Sequence, residues 1–420
     1  MRRQRPDGGS APRVLVIVQN LPVPFDRRVW LECQSLRRAG YDVTVVCPQG
    51  EGTGAEQTVE GVRILAYPPY ASNGRTLGFV TEYAYSFAAT ARLVRRARKA
   101  GRFAVMQACN PPDIFWPIAR WLRAVDGTRF LFDHHDLCPE LYRSRFGDGE
   151  GLALRGLLLL ERATFRTADR VTSTNDSYKA VAMDRGGKHE QDVTVVRTGP
   201  DPQRLRRAEA HAELRHGRAH LVAYIGVMGP QDGVDIVLDA AELIVHRWQR
   251  DDVQFMVMGK GDCYPQLLEQ RDRLGLRSHV DLPGRVPDET VRDVLSTADV
   301  GLSPDPHNPL NDVSTMNKTM EYMAFGLPVV AFDLRETRVS AQQAACYVAP
   351  GQVEAYAQAI LDLIDDPGRR AAMGTFGRER VERELAWEHQ EGGYVAAFDD
   401  LVGRSRRRSG RDRVVATVVS

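Results

Sequence analysis

Short runs rich in β-branched residues alternate with amphipathic helical stretches along this chain, and the series occurs twice. Alternating strands and helices predict a parallel sheet with helices on both faces. The polar residues 201–218 separate the two series and are interpreted as a linker with an attached helix. The predicted strands are Val14–Val18, Asp42–Cys47, Val62–Ala66, Phe103–Ala108, Phe130–Asp133, Arg170–Thr174 and Val193–Val196, then Leu221–Ile225, Gln254–Met258, Val280–Leu282, Val300–Ser303 and Val329–Phe332, with Tyr347–Val348 as an edge candidate. The fold class is therefore α/β, with two doubly wound domains.

The length of 420 residues also favours two domains, because one hydrophobic core rarely grows that large. We expect one domain at 13–202, a second at 203–385, and a helix at 386–402 that crosses back to the first. Residues 1–12 and 403–420 are rich in arginine. Both are expected to be disordered basic tails that are solvated, with contact to anionic lipid as the less favoured alternative.

Composition excludes several classes of function. The chain has 56 basic and 55 acidic residues and a net charge of +1, so no overall positive field points to a nucleic-acid partner. Its 6 cysteines are scattered without a Cys-x-x-Cys pair, so we expect neither a metal site nor a disulfide framework. No signal peptide precedes the first strand and no apolar run reaches bilayer length. The expected location is therefore the cytoplasm, with peripheral contact at the inner face of a membrane as a possibility.

The residues from Asn311 to Phe332 carry the strongest functional signal. They are predicted to form a loop, a helix and a buried strand. Asp312, Ser314 and Thr315 are predicted to supply the side-chain oxygens that cap the start of the helix. The N-terminus of a helix binds anions through its free N–H groups and its dipole. The segment is therefore typical of an anion-binding helix.

Lys318 and Glu321 lie three residues apart on one face of this predicted helix. A lysine one turn into the helix adds a positive charge for a phosphate. A glutamate one turn further can accept hydrogen bonds from two ribose hydroxyls. The pair therefore predicts a site for a sugar nucleotide.

Three segments together resemble one known family. The run Lys318–Ala331 (KTMEYMAFGLPVVA) resembles the donor-binding segment of retaining glycosyltransferases of family 4, which have the GT-B fold. The runs Pro24–Pro48 and Asp133–Leu141 (DHHDLCPEL) are similar to the N-terminal half of the same family. The resemblance extends from Arg13 to Leu401.

The resemblance implies two Rossmann-like domains that face a central cleft. It also implies a metal-independent retaining enzyme that moves a sugar from a nucleoside diphosphate sugar to a hydroxyl acceptor, with no cofactor beyond that co-substrate. The acceptor is unknown; by family analogy it belongs to polysaccharide or lipid-linked glycan assembly. Two other functions stay open: a sugar-nucleotide epimerase or hydrolase of the same fold, and a non-catalytic nucleotide-sugar binding protein.

On the nucleotide side, the resemblance assigns Glu321 to the ribose hydroxyls. The alternative is an exposed helix carboxylate that pairs with Lys318. The turn Gly284-Arg285-Val286 follows a predicted strand, and in similar enzymes the backbone after that glycine contacts the edge of the base. An ordinary strand-to-helix turn is an equal alternative for these three residues.

The loop after the first strand of the second domain contains Gly226, Gly229 and Gly233. The family commonly has an arginine and a lysine in this loop, and both contact the diphosphate. This chain has Val227 and Asp232 at those positions. Two cationic contacts are therefore missing, although the backbone N–H groups of a glycine-rich loop can still cradle a phosphate.

Lys318 and the helix predicted to begin near Ser314 are the candidates to supply the missing charge. A second departure concerns the earlier of the family's paired glutamates, which would fall on Val313. The adjacent Asp312 is the candidate to reach the sugar hydroxyls instead. The identity of the donor sugar therefore stays open.

On the reaction side, the resemblance places a histidine, His135, near the transferred sugar. His134 is the alternative, because alternation along a strand sends neighbouring side chains to opposite faces. The alternative is that the pair satisfies the polar groups of a loop backbone. Asp136 is a secondary candidate for acceptor or structural contacts. Retaining enzymes of this fold need no obvious protein nucleophile, so His135, together with the lysine and glutamate of the donor helix, is the proposed catalytic set.

Two arginines, Arg27 and Arg28, follow the first predicted strand where many relatives have paired glycines. Either one is a candidate to contact the diphosphate from the first domain. The equal alternative is that Asp26 caps the next helix and both arginines are solvated.

Overall fold

The computed structural model describes residues 11–70, 76–147, 151–202 and 204–404. The predicted basic tails therefore lie largely outside the described residues. The chain divides into two compact units, and the described part of the first comprises residues 11–70, 76–139, 151–196 and 391–404. The second unit takes the remaining described residues, which are 140–147 and those between 197 and 390. The prediction of two α/β domains is confirmed.

The first unit is built on an eight-stranded sheet. Seven of the strands pair in parallel, and their central members are buried on both faces, as expected for strands with helices on either side. The sheet order is β3-β4-β2-β1-β5-β6-β7-β8. The strands are β1 (Arg13–Ile17), β2 (Asp42–Pro48), β3 (Glu56–Val59), β4 (Val62–Tyr67), β5 (Val105–Cys109), β6 (Arg129–His134), β7 (Arg170–Ser173) and β8 (Val193–Val195).

Strand β3 has no counterpart among the predicted strands; it pairs antiparallel with β4 at the edge of this sheet. Glu60 and Gly61 form the two-residue connection, with φ values of 47° and 81°. Positive φ at both positions is typical of a tight hairpin turn. The strand itself, EQTV, is polar and half-exposed, so it has no apolar pattern by which to be recognised.

Helices cover both faces of the first sheet. Side-chain caps mark the start of the first and the last of these helices: Asp26 accepts the backbone N–H of Val29 at 3.1 Å, and Asn175 accepts that of Tyr178 at 2.7 Å. The helices are α1 (Arg27–Arg38), α2 (Thr76–Arg98), α3 (Trp116–Asp126), α4 (Cys138–Phe146), α5 (Leu152–Thr167) and α6 (Asp176–Asp184). Most of α4 belongs to the second unit.

The second unit contains a six-stranded sheet in which all pairs are parallel. Its order is β11-β10-β9-β12-β13-β14. The strands are β9 (His220–Val227), β10 (Val253–Lys260), β11 (Val280–Gly284), β12 (Val300–Ser303), β13 (Val329–Phe332) and β14 (Ala345–Val348). The helices are α7 (Val234–Glu242), α8 (Tyr264–Arg273), α9 (Asp288–Thr297), α10 (Asn317–Ala324), α11 (Arg335–Ala341), α12 (Val353–Asp365), α13 (Pro367–Arg380) and α14 (Trp387–Leu401).

Helix α14 begins among residues of the second unit, and from residue 391 onward it belongs to the first. Tyr394 and Phe398 of this helix are fully buried.

Among the described residues, no helix combines the length and the apolar character needed to cross a membrane.

The segment 201–218 differs from its prediction. In place of an attached α-helix it contains one 3-10 turn, Ala212–Arg215. Its backbone instead donates to side chains of α9: Ala208 to the Ser296 hydroxyl at 2.9 Å and His211 to the Thr297 hydroxyl at 2.9 Å. The segment is therefore anchored by polar contacts, which its sequence pattern does not encode.

Candidate active site

The glycine loop after β9 lies against the side chain of Lys318. Gly226 has a φ of 154°, and a Cβ at this position would come within 2.8 Å of the Tyr224 hydroxyl oxygen and 3.2 Å of Lys318 Cε. The Tyr224 hydroxyl also donates to the carbonyl oxygen of Val227 at 2.7 Å. Glycine is therefore required for the loop and the lysine to approach this closely. The Val227 side chain is 57% exposed and contributes no charge.

The other two glycines close the loop. Gly229 donates its backbone N–H to a carboxylate oxygen of Asp232 at 3.0 Å. Gly233 has a φ of 66°, and a Cβ there would clash with the carbonyl oxygen of Pro304. Asn311 donates from its side-chain amide to the carbonyl oxygen of Gln231 at 2.8 Å, which ties the loop to the segment Asn311–Phe332.

The helix of that segment begins later than predicted. Residues 311–313 form a separate 3-10 turn, and α10 starts at Asn317. Ser314 has extended backbone, and its hydroxyl donates back to the carbonyl oxygen of Leu310 at 2.7 Å. Asp312, Ser314 and Thr315 therefore precede the helix by two to five residues, and the prediction that they cap α10 is wrong.

Asp312 is directed to a different helix. Its carboxylate accepts the backbone N–H of Arg335, at the start of α11, at 3.0 Å. It also pairs with the Arg335 guanidinium at 3.7 Å. A carboxylate at the N-terminus of a helix is stabilising, so Asp312 serves the start of α11.

Lys318 is held between two carboxylates. Its ammonium donates to Asp305 at 2.5 Å and lies 3.9 Å from Asp232, and its side chain is 9% exposed. Burial works to lower the pKa of Lys318, but the Asp305 and Asp232 carboxylates raise it above its ordinary value. The ammonium is therefore charged and already neutralised within the second unit.

Asp305 is a site residue that the sequence analysis did not select. It follows β12 directly in the loop, and its other carboxylate oxygen accepts the Ser303 hydroxyl at 2.7 Å. An acid just after a buried strand was the available signal. Its partner, Lys318, lies 13 residues further along the chain, so the pairing depends on the tertiary fold.

The Asp232 carboxylate lies in a position suited to the phosphate of a bound ligand. It accepts a loop N–H, as a phosphate oxygen would, and it faces the ammonium of Lys318. Burial raises the pKa of Asp232 to about 6; Asp305 adds to this effect, while Lys318 opposes it. Two acids therefore flank Lys318 beside the loop in which the resemblance predicts two further cations.

Arg145 is a further arginine of this unit that was not predicted from the sequence as a site residue. Arg145, from the segment 140–147, pairs with Asp262 at 3.6 Å. Asp262 follows β10, which is the neighbour of β9 in the sheet. Arg145 works to lower the pKa of Asp232 and is therefore close enough to supply positive charge to this loop.

The remaining donor candidates lie on the same unit. Glu321 lies three residues after Lys318 on α10 and is half-buried. Gly284, at the end of β11, has a φ of 79°, so the turn with Arg285 and Val286 requires glycine at its first position. Because carboxyl ends of parallel strands meet at one edge of a sheet, this turn and the glycine loop share that edge.

The structure separates the two histidines at the end of β6. The His134 side chain is fully buried, and neither ring nitrogen has a hydrogen-bond partner in the part of the chain that the structure describes. It packs against the rings of Phe132, Phe165 and Tyr178. Burial, followed by the charge of a nearby arginine, lowers the pKa of His134 to about 3. His134 is therefore a neutral core residue.

His135 is the histidine that reaches the surface, with its side chain 11% exposed. Its Nδ1 lies 3.0 Å from a carboxylate oxygen of Asp133. Burial works to lower the pKa of His135, but the Asp133 carboxylate raises it above its ordinary value. With Nδ1 engaged, the ring can present only Nε2 to a substrate.

The backbone of this loop is fixed by Asn110. Its side-chain oxygen accepts the backbone N–H groups of His135 at 2.9 Å and Asp136 at 3.0 Å, and its amide donates to the carbonyl oxygen of Asp136 at 2.7 Å. The Asp136 carboxylate accepts the N–H of Leu137 at 2.8 Å. The loop that carries His135 is therefore rigidly placed.

The two arginines after β1 have different environments. Arg27 is exposed, whereas the Arg28 side chain is buried. Arg28 binds Asp133 at 2.8 Å, Glu32 at 3.1 Å and the carbonyl oxygen of Val196 at 3.0 Å. The expectation that Arg28 is solvated is therefore wrong, and its guanidinium serves the interior of the first unit. Of the two arginines, only Arg27 stays a phosphate candidate.

Among the described residues, one group has the spacing of metal ligands: Glu32, Cys109 and Asp133 lie within 4.8 Å of one another. The Arg28 guanidinium bridges both carboxylates. It thus supplies the positive charge that a metal ion would otherwise bring to these acids.

Two family descriptions match the chain. "Glycosyl transferase 4-like domain" matches residues 26–199, and "Glycosyl transferases group 1" matches residues 219–366. The 2-deoxystreptamine glucosyltransferase of Streptomyces kanamyceticus is 25% identical over 59% of this chain and 64% of its own length. A GDP-mannose-dependent monoacylated α-(1-6)-phosphatidylinositol monomannoside mannosyltransferase of Corynebacterium glutamicum is 30% identical over 38% of this chain and 42% of its own length. These matches span less than two thirds of each relative.

Solved structures share the fold over nearly the whole chain. Sucrose-phosphate synthase from Thermosynechococcus elongatus has a TM-score of 0.76 and 16% identity, and the match covers 94% of this chain and 100% of that one. HepE of Anabaena, solved in complex with UDP-glucose, has a TM-score of 0.68 and 15% identity, with coverage of 92% and 99%. At these identities the likeness establishes the fold.

Proposed function

Because this chain belongs to the glycosyltransferases of the family 4 type, with the GT-B fold, we propose that it moves a sugar from a nucleoside diphosphate sugar to a hydroxyl acceptor. We propose a reaction that retains the configuration at the sugar carbon and needs no metal. Curated relatives described as a glucosyltransferase and a mannosyltransferase support the transfer of a sugar.

The observation that carries the proposal is the position of Lys318 against the glycine loop of β9. The Gly229 N–H donates to the Asp232 carboxylate at 3.0 Å, and the Lys318 ammonium lies 3.9 Å from that carboxylate, which has the charge and hydrogen-bonding capacity of a phosphate oxygen. In the proposed complex, a donor phosphate takes over these two contacts. Charge-assisted contacts of this kind neutralise the leaving diphosphate as the glycosidic bond breaks.

The nucleoside would bind along the same edge of the sheet. Glu321 lies one turn beyond Lys318 on α10 and is proposed to accept hydrogen bonds from the ribose hydroxyls. The turn Gly284-Arg285-Val286, at the end of β11, is proposed to contact the base through its backbone. Substitution of Glu321 by alanine tests this step through donor affinity, and an unchanged affinity would remove Glu321 from the site.

His135 is the residue that we propose contacts the transferred sugar. Asp133 holds Nδ1, so Nε2 faces the substrate, and in the protonated ring its N–H can donate to a sugar hydroxyl or a developing negative charge. Arg27 and Asp136 are proposed as further contacts to phosphate or acceptor. The acceptor is proposed to be a hydroxyl of a growing polysaccharide or of a lipid-linked glycan, and in the second case the enzyme would bind the membrane surface peripherally.

A two-stage experiment tests the proposed function. A thermal-shift screen with nucleoside diphosphates and their sugars identifies the donor, because a ligand at 100 times its Kd stabilises a protein by about 2.7 kcal/mol. The best donor is then incubated with and without hydroxyl acceptors. Rapid conversion of the donor sugar without acceptor would favour an epimerase or hydrolase. Tight binding without any turnover across a broad acceptor set would favour a binding protein.

A further inference from the structure

A continuous chain of buried polar side chains connects helix α14 to His135. The Tyr394 hydroxyl donates to the side-chain oxygen of Gln107 at 2.6 Å. The amide of Gln107 donates to one carboxylate oxygen of Glu32 at 2.7 Å. The chain continues from Glu32 through the buried guanidinium described above to Asp133 and His135. All of its members belong to the first unit.

The direction of the first two hydrogen bonds is fixed by chemistry. The carboxylate of Glu32 is an acceptor when ionised, so Gln107 must turn its NH2 group toward Glu32 and its oxygen toward Tyr394. The Tyr394 hydroxyl then holds Gln107 in this orientation. The ionised form of Glu32 therefore depends on a hydroxyl group of helix α14.

The charges of this cluster balance only when it holds one extra proton. Glu32 and Asp133 are acids and Arg28 is a permanent cation, so the buried group carries one excess negative charge while both acids are ionised. A buried net charge is costly, and a proton on either His135 or Glu32 removes it. Burial, followed by the Asp133 carboxylate, raises the pKa of Glu32, so Glu32 competes with His135 for that proton.

We propose that Asp133, Arg28, Glu32, Gln107 and Tyr394 are positioning residues that orient His135 and assign the shared proton to its imidazole ring. The proposal concerns the site described under the proposed function and rests on it for the catalytic meaning of His135. A protonated ring donates from Nε2 to an oxygen of the donor or acceptor. A neutral ring with Nδ1–H held by Asp133 offers only a lone pair there. Helix α14 therefore decides whether this group is a donor or an acceptor.

Other charged and titratable groups face the same cluster. Asp26 precedes α1, Cys109 ends β5, and His134, the last residue of β6, precedes His135. Thr172 of β7 donates its hydroxyl to Asp133 at 2.9 Å. Asp26 favours the protonated ring, and His134, which stays neutral, does not supply the shared proton. The competition is therefore between His135 and Glu32.

The experiment is a titration of His135 by NMR in the full chain without substrate, compared with Tyr394→Phe. This substitution removes one hydroxyl and leaves the ring in place. The side-chain oxygen of Gln107 then loses its donor, so the orientation that turns its NH2 group toward Glu32 is less favourable. Glu32 should take the proton more readily, and the pKa of His135 should fall by about half a unit or more. Tyr41→Phe is the matched control. The Tyr41 hydroxyl donates to Asp399 of the same helix at 2.7 Å, but it does not belong to the hydrogen-bonded series from Tyr394 to His135.

A second variant, Glu32→Gln, removes a negative charge with little change of shape and should lower the pKa of His135 by about one unit. Equal titration of His135 in the wild-type chain, Tyr394→Phe and Glu32→Gln would overturn the proposal. In a transfer assay, Tyr394→Phe should lower kcat several-fold at pH 8 with KM unchanged, and activity should recover at pH 6.5. If no transfer is found with any donor, the proposed function fails, while the NMR titration still tests the positioning of His135.

Discussion

Each unit of this protein buries one cation between two carboxylates near the carboxyl ends of its strands. In the first unit Arg28 lies between Glu32 and Asp133. In the second unit Lys318 lies between two aspartates, 2.5 Å from one and 3.9 Å from the other. Both clusters contain one cation and two carboxylates. They differ in whether a ligand can take the place of one carboxylate.

We call the arginine cluster closed, because the guanidinium of Arg28 is fully engaged by partners within the first unit. A guanidinium presents several donors in a fixed plane, and Arg28 uses them on two carboxylates and the carbonyl oxygen of Val196. The lysine cluster is open to exchange, because an ammonium is a point charge and Asp232 lies at the longer distance with its pKa raised to about 6. The comparison indicates that the first cluster supports a neighbouring residue, whereas the second holds a place for a ligand.

The largest expected effect breaks the closed cluster. Asp133→Ala should lower the free energy of unfolding by about 3–5 kcal/mol, because it leaves the buried Arg28 with an incomplete set of partners. Urea denaturation measures this change. Asp42→Ala is the control: Asp42 pairs with Arg13 at 3.3 Å but its side chain is 47% exposed, and its loss should cost about 1 kcal/mol or less. Equal costs for the two variants would contradict the closed cluster.

The next effect tests the ligand role of the open cluster. Lys318→Ala should weaken binding of a nucleoside diphosphate sugar by about 100-fold, or about 2.7 kcal/mol, because the leading cation at the glycine loop is lost. Lys260→Ala, at the exposed end of β10, is the matched control and should change affinity by less than about threefold. Isothermal titration calorimetry compares the two. Greater damage from Lys260→Ala would move the phosphate site to the loop after β10.

A smaller effect, of opposite sign, distinguishes the two clusters most sharply. Asp232→Asn should strengthen donor binding by about tenfold, since it removes the negative charge that competes for Lys318 and keeps an acceptor for the Gly229 N–H. Asp235→Asn, an exposed position at the start of α7, should leave affinity unchanged. Weaker donor binding in Asp232→Asn would show that the carboxylate helps to hold the donor.

The smallest effect is the pH dependence of donor binding. The pKa of Asp232 is raised in the folded state, so the folded chain binds this proton more tightly than the unfolded chain does, and the stability from this group falls as pH rises through about 6. Protonation also removes the competing charge. Affinity for a nucleoside diphosphate sugar should therefore rise several-fold between pH 7.5 and pH 5.5. The rise should be absent in Asp232→Asn, and its persistence there would assign it to another group.

The sequence predicts the strands well because each buried parallel strand is an apolar run, and β3 escapes because it is a polar edge strand. The start of α10 is misplaced because Asp312 and Ser314 are good caps in isolation, while the structure uses them in a 3-10 turn and at α11. The choice between His134 and His135 follows from the fold, since only packing decides which ring is buried. The pairing of Asp305 with Lys318 also follows from the tertiary structure alone and could not be predicted from the sequence.

Helix α14 has a consequence for the order in which this protein can be made. Gln107 and its partner Tyr394 are 287 residues apart, and both are fully buried in the same unit. A ribosome adds about 5–20 residues per second, so roughly 15–60 s separate their synthesis. During that interval the first unit exposes the polar groups and apolar surface that α14 will cover. Its core is therefore completed only after the second unit has been synthesised.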